Sequence, residues 1–182
     1  MANINSTIDI KADPEHVFEL VENVELRMRL NPRIKIHKVL KMTPGSMKIG
    51  CRFYYRMTVD NKTIEHYTTC VAYRPGRLLE MVSDGNPVFN VKLSCQPIPG
   101  GTRLIHEESF QREQIDWPLA STESFLGELV FLVLGKKWGF KKSYDSVVAD
   151  EKEMLASLES MLEEWMAKIK NHLETRHGVL YA

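Results

Sequence analysis

The sequence predicts an α+β fold in which a curved, seven-stranded antiparallel sheet wraps around one long C-terminal helix. Three observations carry this reading. Six strand-length segments separated by short turn signals fill residues 34–111, a pattern of helical period occupies 146–175, and one more strand with two short helices precedes both. A chain of 182 residues, read as one domain over 1–182, buries roughly 70% of its unfolded surface. A core of that size has room for a ligand cavity.

Ile4, Ile8 and Ile10 fall on one side of a period-two pattern completed by Ser6, so 4–11 reads as the first strand. Asp13-Pro14 stops it. Asp13 suits a helix N-cap and Pro14 the first helical position, and Val17, Phe18, Leu20 and Val21 supply the apolar face of a short helix ending near Asn23. A second short turn or helix runs to Asn31-Pro32. Pro44-Gly45, Asp60-Asn61, Pro75-Gly76, Asp84-Gly85-Asn86 and Pro99-Gly100-Gly101 then punctuate strands at 34–43, 49–59, 63–74, 77–84, 87–96 and 102–111. Connections this short exclude parallel crossovers, so the six strands form a meander. The first strand joins it at one edge or across the top.

In the last third, Leu155, Leu158, Leu162, Trp165, Ile169 and Leu173 recur at three- and four-residue steps, opposite Glu153, Glu159, Glu163, Lys170 and Glu174. Ser146 suits the start of this helix, and Arg176, His177 and Gly178 suit its end. At 1.5 Å per residue it is about 44 Å long, enough to cross the sheet and cover its apolar face. Met154, Met161 and Met166 flank the stripe, where thioethers fill irregular core space.

Lys plus Arg and Asp plus Glu both number 24, so no basic field points to nucleic acid as a partner. Cys51, Cys70 and Cys95 are too far apart for a CxxC site and odd in number, which fits reduced thiols in a cytoplasmic protein. Met1 to Lys11 lacks the apolar run of a signal peptide, so no export is expected. The sequence contains no Gly-x-Ser-x-Gly elbow and no phosphate-binding glycine loop. His66 and Cys70 would stand about 13 Å apart on a strand rising roughly 3.3 Å per residue, too far to share a metal. Neither cofactor nor metal is expected.

Four segments carry a family resemblance: Ile10-Lys11-Ala12-Asp13-Pro14-Glu15-His16-Val17-Phe18, Ile49-Gly50-Cys51-Arg52-Phe53, Arg74-Pro75-Gly76-Arg77-Leu78 and Gly100-Gly101-Thr102-Arg103-Leu104. In their order and spacing the chain resembles the helix-grip fold of the START-like (SRPBCC) superfamily, which includes birch-pollen-allergen-like proteins, lipid-transfer domains and polyketide cyclases/dehydrases. The resemblance covers nearly the whole chain. It implies a ligand-binding domain whose cavity, between sheet and terminal helix, accepts sterols, lipids, polyketides or other aromatic compounds. Fold alone does not choose among these functions. One departure is that Leu30-Asn31-Pro32 replaces the tryptophan often found before that proline.

Candidate site residues follow from strand faces. Leu104, His106, Glu108 and Phe110 share one face of the last strand, and titratable groups among apolar neighbours suit acid–base work. The reversed face would instead present Ile105 and Glu107. Ile64, His66, Thr68, Cys70 and Ala72 share a face that either adds a second imidazole to the cavity or is a polar face satisfied by its neighbours. Phe53, Tyr55, Met57 and Val59 alternate with Arg52, Tyr54, Arg56 and Thr58. Burying two unpaired guanidinium groups is costly, so the apolar set is placed inward. An inward Arg52 or Arg56 would instead select an anionic head group. Phe89, Val91, Phe131, Leu158 and Trp165 complete the expected ligand-binding set.

The leading functional reading is non-catalytic binding or transport of an apolar small molecule: a lipid, polyketide or aromatic compound. An alternative is a polyketide aromatase/cyclase-type enzyme, of the cyclase/dehydrase kind, using His106, Glu108 or His66 as acid–base groups. A second alternative is an interaction protein whose apolar segment 125–134 docks on a partner or a second copy as a homodimer. That segment is too short to span a bilayer, while Lys136, Lys137, Trp138, Lys141 and Lys142 beside it suit transient membrane contact. Residues 119–142, with Gly127, Gly135 and Gly139 as hinge points, are expected to form a mobile cover over the cavity.

Overall fold

Alternation of inward apolar and outward polar residues leaves each strand with one face to bury, and the computed structural model shows how these faces are joined. It describes residues 2–59, 62–85, 88–110 and 144–178. The elements are β1 (Ala2–Ile10), α1 (Pro14–Glu22), α2 (Val24–Arg29), β2 (Ile34–Lys41), β3 (Arg52–Val59), β4 (Lys62–Arg74), β5 (Leu78–Ser83), β6 (Phe89–Ile98), β7 (Gly101–Phe110) and α3 (Tyr144–Gly178). Segment 125–134, the proposed cover 119–142, Phe131 and the basic residues beside it lie outside the described residues.

All seven strands form one antiparallel sheet in the order β1-β7-β6-β5-β4-β3-β2. β1 joins at the edge rather than across the top, with Ile4 opposite Glu108 and Ile10 opposite Thr102. Gly76 and Gly100 take left-handed φ values of 71° and 80° in the turns before β5 and β7, where a side chain would be strained. Register shifts at Ile36/Lys38 and Cys70/Ala72 bend β2 and β4. The chain has the helix-grip architecture, with a curved sheet closed over α3.

Both short helices form. Asp13 occupies the N-cap of α1 but makes no side-chain capping bond. Asn23 instead ends α1 and caps α2, its Oδ1 accepting the Leu26 N–H at 3.1 Å. α3 overruns the 146–175 expectation at both ends, since no Pro or Gly stands between Tyr144 and Ser146 to stop it. Its 35 residues span about 52 Å. Among the described residues, no helix is long and apolar enough to cross a membrane.

The helix stripe packs against the concave face. Leu158, Leu162, Trp165, Met166, Ile169 and Leu173 are buried, as are Ile4, Ile10, Leu79, Leu93 and Leu104 from the strands. Each such side chain contributes roughly 1.5–3 kcal/mol through its removal from water. At the edges of α3, Arg33 pairs with Glu164 through two hydrogen bonds of 3.0 and 2.7 Å, and Glu174 accepts the Lys11 backbone N–H at 2.9 Å. Cys51, Cys70 and Cys95 are free thiols, all buried.

The β1–β7 edge is closely fitted at Gly101, where an added Cβ would stand 2.1 Å from the Ile10 carbonyl oxygen. That oxygen is backbone and cannot swing aside. Gly101→Ala is therefore expected to destabilise the fold by about 1–3 kcal/mol, the range of overpacked sites, read from the urea midpoint at unchanged slope.

Candidate functional site

The sandwich is packed at one end and hollow at the other. Moving along each inward face, Phe53, Cys70, Leu79, Leu93, Cys95 and Leu104 are fully packed. Two to four residues further toward the other end, Tyr55, Met57, His66, Thr68, Met81, Val91 and Glu108 line a cavity of about 130 Å³. Leu158, Met161, Leu162 and Trp165 of α3 form its opposite wall, and Arg27 and Met28 of α2 lie against it. One water needs roughly 10–15 Å³ measured in this way, so the space exceeds that of a few waters.

Of the expected ligand-binding residues, Tyr55, Met57, His66, Phe89, Val91, Glu108, Leu158 and Trp165 line this cavity. Phe53, Leu104 and His106 do not. They point to the concave side, but at levels where α1 or α3 fills the space, so they are core rather than lining. Arg52 and Arg56 face outward, paired with Asp84 at 3.0 Å and Glu65 at 3.4 Å. The apolar face of β3 is therefore the inward one, and the reading with either arginine in the cavity is corrected.

The polar groups form an arc on this apolar wall. Thr68 Oγ1 donates to the Tyr55 hydroxyl at 3.2 Å, and Ser83 Oγ accepts the Phe89 backbone N–H at 2.9 Å. Burial pushes the Tyr55 phenol above its ordinary range, against the pull of Arg27 and the Thr68 hydrogen bond. The His66 ring stacks on Tyr55 with centroids 4.9 Å apart. Burial drives its pKa down to about 4, opposed by Asp84, so this imidazole is neutral at physiological pH.

Behind the lining, His106 is fully buried and its Nε2 lies 2.9 Å from Glu108 Oε1. The approach is not aligned as a hydrogen bond, and neither ring nitrogen has such a partner among the described residues. Its ring meets the face of Trp165 edge-on at 5.1 Å. This places a carboxylate on the cavity wall with an imidazole in support. Among the described residues, no group of three or more His, Cys, Asp or Glu is placed to hold a metal ion.

Arg27 is the residue that strand reasoning missed. It is 3% exposed, its Nη1 donates to the Val21 carbonyl, and its Nη2 lies 3.9 Å from Met81 Sδ. Burial lowers its pKa, while Tyr55 and Glu108 oppose that shift. Its own carbonyl accepts the Trp165 Nε1–H at 2.9 Å. α2 is only six residues long, too short to display periodicity. The available signal was the three-residue step from Val24, which puts Arg27 on the same inward face.

Residues 1–130 match the family model described as polyketide cyclase / dehydrase and lipid transport. The chain belongs to this family. The aromatase/cyclase Zhui of Streptomyces sp. R1128 superposes with a TM-score of 0.62 at 11% identity, over 96% of this chain and 94% of that one. A polyketide-cyclase-like protein of Corynebacterium glutamicum gives 0.58 at 18% identity, over 96% and 92%. A di-domain aromatase/cyclase of the steffimycin biosynthetic pathway gives 0.65 at 13% identity, over 97% of this chain and 52% of its own length. These likenesses establish the fold of the family member. No curated protein matches its sequence.

The depressed His66 pKa has a thermodynamic consequence. Between about pH 6.5 and its folded value near 4, the unfolded chain binds a proton that the folded one refuses, so stability falls as pH falls through this window. The loss levels off below the folded value at on the order of 3 kcal/mol. His66→Gln is expected to flatten that part of the profile. Urea denaturation of both proteins at steps between about pH 4 and pH 7 measures it, and parallel profiles would refute it.

Proposed function

We propose that this family member binds and carries an apolar small molecule in the cavity between its sheet and α3. The observation that carries the reading is the hollow end of the sandwich. There Met57, Met81, Phe89, Val91, Leu158 and Leu162 enclose space that the same strands fill with side chains at the other end. Burial of an apolar ligand against such walls supplies affinity, and the arc from Tyr55 to Glu108 orients it. Family membership and the aromatase/cyclase relatives support the choice of lipids or polyketides as the ligand class.

The fluorescent neutral probe N-phenylnaphthylamine is expected to bind saturably, one molecule per chain. Val91→Trp places an indole in the cavity and is expected to weaken that binding at least about tenfold, with an unchanged circular dichroism spectrum. Absence of saturable binding to the wild-type protein would overturn the carrier reading.

A second reading rests on the His106–Glu108 pair. A carboxylate at the cavity wall, 2.9 Å from a buried imidazole, can take a proton from an enolisable carbon of a bound polyketide and return it elsewhere. This would make the protein a cyclase or dehydrase. Deuterium uptake from solvent into a bound cyclic β-diketone is expected to be accelerated by wild-type protein and lost in Glu108→Gln. Equal uptake with both proteins would exclude the reading.

A further inference from the structure

Three surface arginines and one buried arginine use the same edge of the guanidinium group differently. Arg33 gives Nε and Nη2 to the two oxygens of Glu164 at 3.0 and 2.7 Å. Arg103 gives them to the two oxygens of Asp9 at 2.7 and 2.9 Å. Arg29 gives both to Glu25 Oε1 at 3.0 and 2.7 Å. This planar fork matches a carboxylate, the pairing in which guanidinium is strongest and most directional.

Among the described residues, the same edge of Arg27 holds no oxygen. Nε has no hydrogen-bond partner among the described residues, and Nη2 meets only the thioether of Met81 at 3.9 Å. A thioether is a weak acceptor. The other end of the group is occupied, since Nη1 donates to the Val21 carbonyl. Glu108 is near enough to favour the charged form of Arg27, but no hydrogen bond joins it to the fork among the described residues, and its Oε1 lies 2.9 Å from His106 Nε2. A desolvated cation with an unmet N–H is unfavourable, yet the helix turn carrying it is held in place by the Trp165 hydrogen bond to its carbonyl. Both Arg27 and Met81 line the cavity. Met81 is unbranched and can change rotamer without backbone movement.

We infer that the ligand of this cavity is an apolar molecule ending in a carboxylate, whose two oxygens displace the Met81 thioether and take the Nε/Nη2 edge of Arg27. This rests on the proposed binding of an apolar molecule and narrows it to a chemical class. The apolar body lies among Val91, Leu158 and Leu162, while the carboxylate meets a cation that is already dehydrated. A neutral alcohol of the same shape offers a single uncharged acceptor and cannot engage both N–H groups of the fork as a carboxylate does.

Competition against N-phenylnaphthylamine with dodecanoate and with dodecanol tests the inference, since the two differ only in the head group. Wild-type protein is expected to prefer dodecanoate by at least about tenfold. Arg27→Met is expected to lose that preference while still binding dodecanol. Arg27→Lys keeps the charge without the fork and is expected to retain only part of the preference, which decides the matter if the methionine variant does not fold. Equal binding of acid and alcohol by wild type, or an undiminished preference in either variant, overturns the carboxylate assignment while leaving the carrier reading standing. Displacement of a saturably bound probe by neither compound likewise overturns the carboxylate assignment, while absence of saturable probe binding overturns both readings.

Discussion

Trp165 is the side chain on which the sheet, α2 and α3 meet. From α3 it donates its indole N–H to the Arg27 carbonyl of α2 and takes the edge of the His106 ring from β7 on its face. An aromatic of this size contributes large burial and one directional bond together, so it fixes rotation of α3 as well as its closeness. The exposed Arg33–Glu164 pair at the helix margin is worth at most about 1 kcal/mol. It refines a position already set by the buried stripe. The same indole also forms cavity wall, so helix placement and site geometry share one residue.

The division of the interior into a packed and a hollow end follows from what covers the sheet at each level. Near Leu79, Leu93 and Leu104, the large side chains of Met166 and Ile169 and the apolar face of α1 complete a dense core. Near Met81, Val91 and Glu108, α2 borders the space with the buried Arg27. Dense packing is concentrated at one end and the cavity lies at the other. His66 and Arg27 each hold an ionisable group in an environment that disfavours its charged form, a cost to the fold that is expected at sites rather than in packing cores.

Much of this organisation was legible in the residues. Strand alternation offered Tyr55, Met57, His66, Val91 and Glu108 as inward residues while leaving the faces of β4 and β7 open, and cost arguments placed Arg52 and Arg56 outward. The structure lines the cavity with the first set and pairs both arginines on the outer face. Period-two alternation identifies a face but not a level along it. Phe53 and Tyr55 are indistinguishable by pattern, as are His106 and Glu108, although the first of each pair is core and the second lines the cavity. The ends of α3 were displaced as well, since a residue with capping chemistry such as Ser146 does not by itself stop a helix.

By itself, the sequence determined the element order, the meander and the amphipathic helix that covers it, since these depend on short-range periodicity and on turn residues such as Gly76 and Gly100. For β3 it also favoured the inward face, through the cost of burying Arg52 and Arg56, and it left the faces of β4 and β7 open. Only the tertiary structure decided where packing gives way to a cavity and that Arg27 stands there with an unfilled edge beside Met81. Those outcomes arise from contacts between residues 54 and 138 positions apart, and no local pattern encodes whether such distant side chains fill a shared space or leave it open.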